Sequence, residues 1–137
     1  MITVFAASVL LLFLKMLAIS CYQGYYRLRH LTFVNAEDAA VLGRTAAAQE
    51  RPEVRRAAQA WANDLENIPL FFVLGGLAIT LHTPELPTMM LCALFTAARL
   101  AHTLAYLAAW QPWRTLAFAV GLGCLLGLAG MIAARLC

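Results

Sequence analysis

RPEVRRAAQAWANDLENIPLFFVLGGLAITL, Arg51 to Leu81, is the stretch whose reading decides the fold. Its second half, from Ile68 onward, is apolar and uncharged. That half is too short to cross a bilayer, which takes about 20 helical residues. A helix that spans must extend backwards and carry Asn63, Asp64 and Glu66 towards the membrane. A carboxylate at membrane depth is expensive and normally faces a partner inside a bundle or a wet cavity. Gln59, Asn63, Glu66 and Leu70 follow i, i+4, i+7 and i+11 spacing, so their polar members share one helix face. The rest of the chain is read as supplying partners for that face.

Composition points the same way. The chain has 137 residues, which suits one domain, taken as residues 1–137. It is 63% hydrophobic and 12% charged, with mean hydropathy +0.75. Soluble domains are about 45–50% apolar and about 25% charged, so lipid is the expected solvent. No basic run interleaves with aromatics, which argues against nucleic acid as a partner. Cys21, Cys92, Cys124 and Cys137 lie far apart without ligand spacing and are read as free thiols, with no disulfide and no metal.

The expected architecture is an all-α integral membrane bundle of four transmembrane helices, at about 2–24, 52–81, 86–110 and 113–135. A cleavable signal is rejected because no basic residue precedes the first apolar run and Lys15 interrupts it. Lys15 either meets a partner in the bundle or snorkels along lipid. Asn35-Ala36-Glu37-Asp38 reads as a helix N-cap or turn in a structured loop at the membrane surface. Pro52 suits a first helical turn, and Pro69 predicts a kink near Asn63–Glu66. Gly75-Gly76 and Gly121, Gly123, Gly127 and Gly130 suggest close helix approach.

The first loop carries Arg27, Arg29, Arg44, Arg51, Arg55 and Arg56, and the third carries Arg114. The positive-inside rule puts both loops in the cytoplasm. Gln59, Asn63 and Glu66, then Arg99, His102 and Tyr106, then Arg114, fall at that same end of three helices. Arg99 is the expected counter-ion of Glu66. Arg27 and Arg114 remain as fixed positive charge near the surface. The set suits a small, polar, anionic ligand, with the bilayer delivering a second, greasy one. No Ser/His/Asp or Cys/His set and no Gly-rich phosphate loop is present. The plainer alternative is that each polar residue is interhelical glue, worth about 0.6–2 kcal/mol.

Several motifs resemble the membrane-associated proteins of eicosanoid and glutathione metabolism, in particular the prostaglandin E synthase and microsomal glutathione transferase 1 branch. They are Leu14-Lys15-Met16, Arg27-Leu28-Arg29, Phe33-Val34-Asn35-Ala36-Glu37-Asp38-Ala39, Asn63-Asp64-Leu65-Glu66 and Arg99-Leu100-Ala101-His102-Thr103-Leu104-Ala105-Tyr106. The resemblance implies a homotrimer that binds glutathione between subunits and acts on hydrophobic electrophiles or lipid hydroperoxides from the membrane. By position, Arg27, Gln59, Asn63, Glu66, Arg99, His102, Tyr106 and Arg114 fall in the glutathione site. Arg114 matches an arginine proposed to stabilise the thiolate, Thr115 stands where a serine is proposed to assist it, and Asp38 matches an aspartate near that arginine. Gln59, Ala62 and Gln111 stand where relatives carry arginines, and Trp61 replaces a histidine. These departures keep open a non-catalytic lipid-binding scaffold, like the five-lipoxygenase-activating protein. The high Ala and Arg content with a single Lys suits a GC-rich bacterial genome, hence the inner membrane.

Overall fold

A computed structural model describes residues 1–136. It is all helical, with five helices where four were expected: α1 Ile2–His30, α2 Ala36–Val41, α3 Pro52–Thr80, α4 Glu85–Leu107 and α5 Trp113–Leu136. The additional one, α2, is a short surface helix in the first loop. Asn35 precedes it in extended conformation. Its side chain donates to the Asp38 carboxylate at 3.2 Å instead of accepting a backbone amide, so the expected side-chain cap does not form. α1 runs past residue 24 and stops at Leu31, whose left-handed φ of 48° turns the chain. Arg27, Arg29 and His30 in its last turn complement the negative end of the helix dipole.

α1, α4 and α5 are long and apolar enough to cross a membrane. α3 matches them in length but its first half carries Arg55, Arg56, Asp64 and Glu66. Pro52 occupies its first turn, and the helix continues unbroken through Pro69. Cys21, Cys92 and Cys124 are free thiols; Cys137 lies outside the described residues.

α3 and α4 form the middle of the bundle. α1 packs against both, α5 packs against both, and α1 and α5 do not touch. Three contacts at one sequence separation set the register of α1 on α4. The Met1 amine meets Glu85 at 2.8 Å, Ser8 Oγ donates to the Cys92 carbonyl at 3.5 Å, and Lys15 Nζ donates to the Arg99 carbonyl at 3.4 Å. Their seven-residue interval is that of two parallel helices whose contact seam repeats by heptads.

Phe71 of α3 stacks on Phe95 of α4 with ring centroids 4.4 Å apart, and Leu12, Ile68, Cys92, Cys124 and Leu128 close around them. A Cβ at Gly75 would lie 2.4 Å from Phe5 Cε2, so this glycine lets α1 approach α3. Gly121 fits beside Arg99, and Gly127 beside Leu91. Gly76, Gly123 and Gly130 have open space where a side chain would go, so no neighbouring helix of the same chain approaches closely at those three.

Candidate functional site

The buried stripe of α3 is Val54, Ala57, Ala60, Asp64, Asn67, Ile68, Phe71, Gly75 and Ala78. Asp64 is its one acidic member. Its Oδ1 accepts from Arg99 Nε at 3.1 Å and Nη2 at 2.5 Å, and its Oδ2 lies 2.6 Å from Lys15 Nζ. Asp64 and Arg99 are both 0% exposed. The expected Glu66–Arg99 pair is therefore corrected: the partner of Arg99 is Asp64. Glu66 is exposed and points away, because two residues along a helix turn a side chain by about 200°. Lys15 meets a partner and does not snorkel. Arg99 gives its remaining contact to Asn63 Oδ1, at 2.7 Å from Nη2.

Asn63 is the link from this buried cluster to a cavity of about 250 Å³, lined by Asn63, His102, Tyr106, Arg114, Thr115 and Phe118. The cavity opens at the surface of the chain. His102 and Tyr106 stand one turn apart on α4, ring edge to face, with centroids 5.6 Å apart. Phe118 closes the far side of His102 at 6.3 Å. His102 is 3% exposed and its Nδ1 has no hydrogen-bond partner among the described residues. The Arg114 guanidinium lies over the Tyr106 ring, 4.7 Å from its centroid, a cation–π arrangement.

The Gln111 amide is oriented by its neighbours. Its oxygen accepts from Arg114 Nε at 3.0 Å and Nη2 at 2.6 Å, and its nitrogen donates to Thr115 Oγ1 at 3.1 Å. A guanidinium only donates, so the oxygen must face it. The Thr115 hydroxyl proton is then free for another acceptor. A cis Gln111–Pro112 peptide lies at this turn between α4 and α5.

Of the residues anticipated from sequence, Asn63, His102, Tyr106, Arg114 and Thr115 meet at this cavity. Gln59 stands at its edge, with Tyr106 Oη 3.4 Å from its Oε1. Arg99 is sealed behind Asn63 and cannot touch a ligand in the cavity. Arg27 is elsewhere: it pairs with Glu50 at 2.9 Å and lines a separate hollow with Ser20, Gln23 and Trp61. Asp38 is exposed on α2, which packs against none of the long helices, so the chain does not bring it to Arg114. Glu66 also lies apart. Sequence reasoning missed the roles of Asp64, Gln111 and Phe118. For Asp64 a signal existed, since it falls in register with Ala57, Ala60 and Phe71.

The chain matches the model of the MAPEG family over residues 5–134. It is 38% identical over 131 residues to microsomal glutathione S-transferase 1 of Sus scrofa, covering 91% of this chain and 84% of that protein. The same protein of Homo sapiens is 37% identical over the same shares. Prostaglandin E synthase of Equus caballus is 35% identical over 111 residues, 80% of this chain and 72% of that protein. The chain belongs to the MAPEG family.

Proposed function

Given membership of this family and the residues around the cavity, we propose that the protein is a membrane glutathione transferase, with peroxidase activity on lipid hydroperoxides. The observation that carries the reading is the gathering of Asn63, His102, Tyr106, Arg114 and Thr115 around one opening at one end of three helices. The relatives named above include glutathione transferases. The donor set fits a peptide-like anion: one guanidinium, a free amide NH2 and a free hydroxyl.

Glutathione supplies the thiol nucleophile, which in the conjugation reaction forms an S–C bond as the electrophile releases its leaving group. Arg114 favours the thiolate. A free thiol has a pKa of about 8.5, and lowering it by about one unit takes roughly 1.4 kcal/mol of differential interaction. A single partly shielded guanidinium supplies that much. Thr115 donates a hydrogen bond from its hydroxyl to the same sulfur, and Gln111 holds both groups in place. The electrophile enters from lipid.

The assembly is a homotrimer, with glutathione between subunits. Glu66 supports this, because it is exposed on a face that also bares Leu65, Leu70, Val73 and Leu77. A carboxylate on so apolar a face needs burial against another chain. In the same arrangement Arg27 and Asp38 reach the cavity of a neighbouring subunit. All four long helices span the membrane, with the α1–α3 and α4–α5 connections in the cytoplasm, in a bacterial inner membrane.

The alternative, a lipid-binding scaffold without chemistry, is favoured by an apolar groove of about 370 Å³ between α1 and α4, lined by Ile19, Tyr22, Leu100 and Leu104. Glutathione titration followed by thiolate absorbance at the ultraviolet edge separates the two. Binding with a thiolate signal supports the enzyme, binding without it supports the scaffold, and no binding removes both the co-substrate and the reaction.

A further inference from the structure

A buried arginine usually answers only for its own charge. Arg99 does more. Its guanidinium has five donors and no acceptor, so the Asn63 atom 2.7 Å from Nη2 must be the amide oxygen. Arg99 cannot swing away from that contact, because Asp64 holds it through both Nε and Nη2. Asp64 in turn is held from the other side by Lys15. Both bonds converge on the one oxygen, Oδ1, and together they hold that edge of the guanidinium in place. If the Asn63 amide flipped, its NH2 would face donors and the contact would become repulsive. The amide therefore has one orientation. Its NH2 group has no acceptor within the described residues, and Asn63 lines the cavity.

We propose that Arg99 is a positioning residue that fixes Asn63 as a one-way hydrogen-bond donor, so that the ligand group seated against Asn63 is an acceptor, a carboxylate or peptide carbonyl, and not the ammonium. This rests on the glutathione reading and assigns the polarity of the ligand group at that point of the cavity. A free asparagine accepts as readily as it donates and would seat either an ammonium or a carboxylate. The Lys15–Asp64–Arg99 chain removes that ambiguity without touching the ligand. It also sets a net positive charge behind the donor, since two cations share one carboxylate, which favours the same ligand polarity.

The test uses the full-length protein in detergent, with glutathione as the probe. Asn63→Asp keeps an oxygen for Arg99 but puts a carboxylate oxygen where the donor stood. The dissociation constant for glutathione should rise by about tenfold to a hundredfold, the loss of a hydrogen bond to a charged group plus a new repulsion. A thermal midpoint near wild type checks that the variant folds. Unchanged affinity in this variant would overturn the proposal, because a merely structural Asn63 is served equally well by aspartate. The second measurement is a cycle of Arg99→Lys with Asn63→Ala. If Arg99 acts through Asn63, the double variant binds glutathione no more weakly than Asn63→Ala alone; additive losses in affinity would overturn the positioning role. Should the unmodified protein bind no glutathione, the functional reading fails and this inference with it. Wild-type binding with an unaffected Asn63→Asp sinks this inference alone.

Discussion

Asp64 and Arg99 form an ion pair in which both residues are wholly enclosed, and Lys15 completes the cluster 2.6 Å from the second carboxylate oxygen. Breaking a buried pair leaves a charge without a partner and costs about 3–5 kcal/mol. Asp64→Asn strands two cations at once and should greatly lower yield and thermal midpoint. Glu66→Gln should leave the subunit fold intact, since Glu66 has no ion-pair partner among the described residues. Detergent thermal unfolding of the two variants decides it; equal damage would mean that Glu66 has a structural partner.

Lys15→Met is the converse case. It leaves the Asp64–Arg99 pair neutral and fills the space with a flexible apolar chain. Its cost should be well below that of Asp64→Asn, by at least about 1–2 kcal/mol, because breaking a pair is the larger penalty. Denaturation of both in the same detergent gives the comparison.

Arg114→Ala should remove most turnover with 1-chloro-2,4-dinitrobenzene or a lipid hydroperoxide, by about 10²–10³-fold, the usual effect of losing one stabiliser of developing charge. Arg114→Lys should recover little, because an ammonium cannot both lie flat on Tyr106 and fork onto Gln111. Near wild-type turnover in Arg114→Ala at saturating glutathione would leave Arg114 as an interfacial anchor only.

Gln111→Leu should lower kcat with a smaller effect on glutathione affinity, since Gln111 touches Arg114 and Thr115 and does not line the cavity. Losing two hydrogen bonds to a charged group and one to a hydroxyl loosens Arg114 and Thr115, the two residues proposed to act on the sulfur; about tenfold in kcat is expected. A pure affinity loss, with kcat untouched, would count against the assignment.

Gly75→Val should destabilise the bundle by about 1–3 kcal/mol, the usual cost of overpacking, because even its Cβ meets Phe5 at 2.4 Å. Gly76→Ala has open space and should be neutral or stabilising, as alanine is favoured over glycine in a helix by about 0.8–1.0 kcal/mol. Melting curves of the pair test whether α1 and α3 meet at Gly75.

Much of the architecture was legible in the order of residues, because long apolar runs have few alternatives to helix in lipid. The starts of the long helices at Pro52 and Trp113 fall where composition changes. Five of the site residues, Asn63, His102, Tyr106, Arg114 and Thr115, could be placed at one end by periodicity, charge placement and family motif together. The short helix α2 was legible only as a capping signal, since six residues carry too little pattern to distinguish helix from turn.

Which carboxylate would meet Arg99 was not decided by the sequence, and here the helix face made the difference. Asn63, Asp64 and Glu66 are close in the chain, yet each side chain turns about 100° per residue. Local spacing grouped Asn63 with Glu66. Only the packing of α1 and α4 against α3 established that Asp64 faces inward, because Lys15 and Arg99 arrive from helices far away in sequence. The same tertiary fact decided that Arg99 stands behind the cavity and Asn63 stands in front of it. Residue types determined that a buried cation needed a partner; the meeting of three helices determined which one.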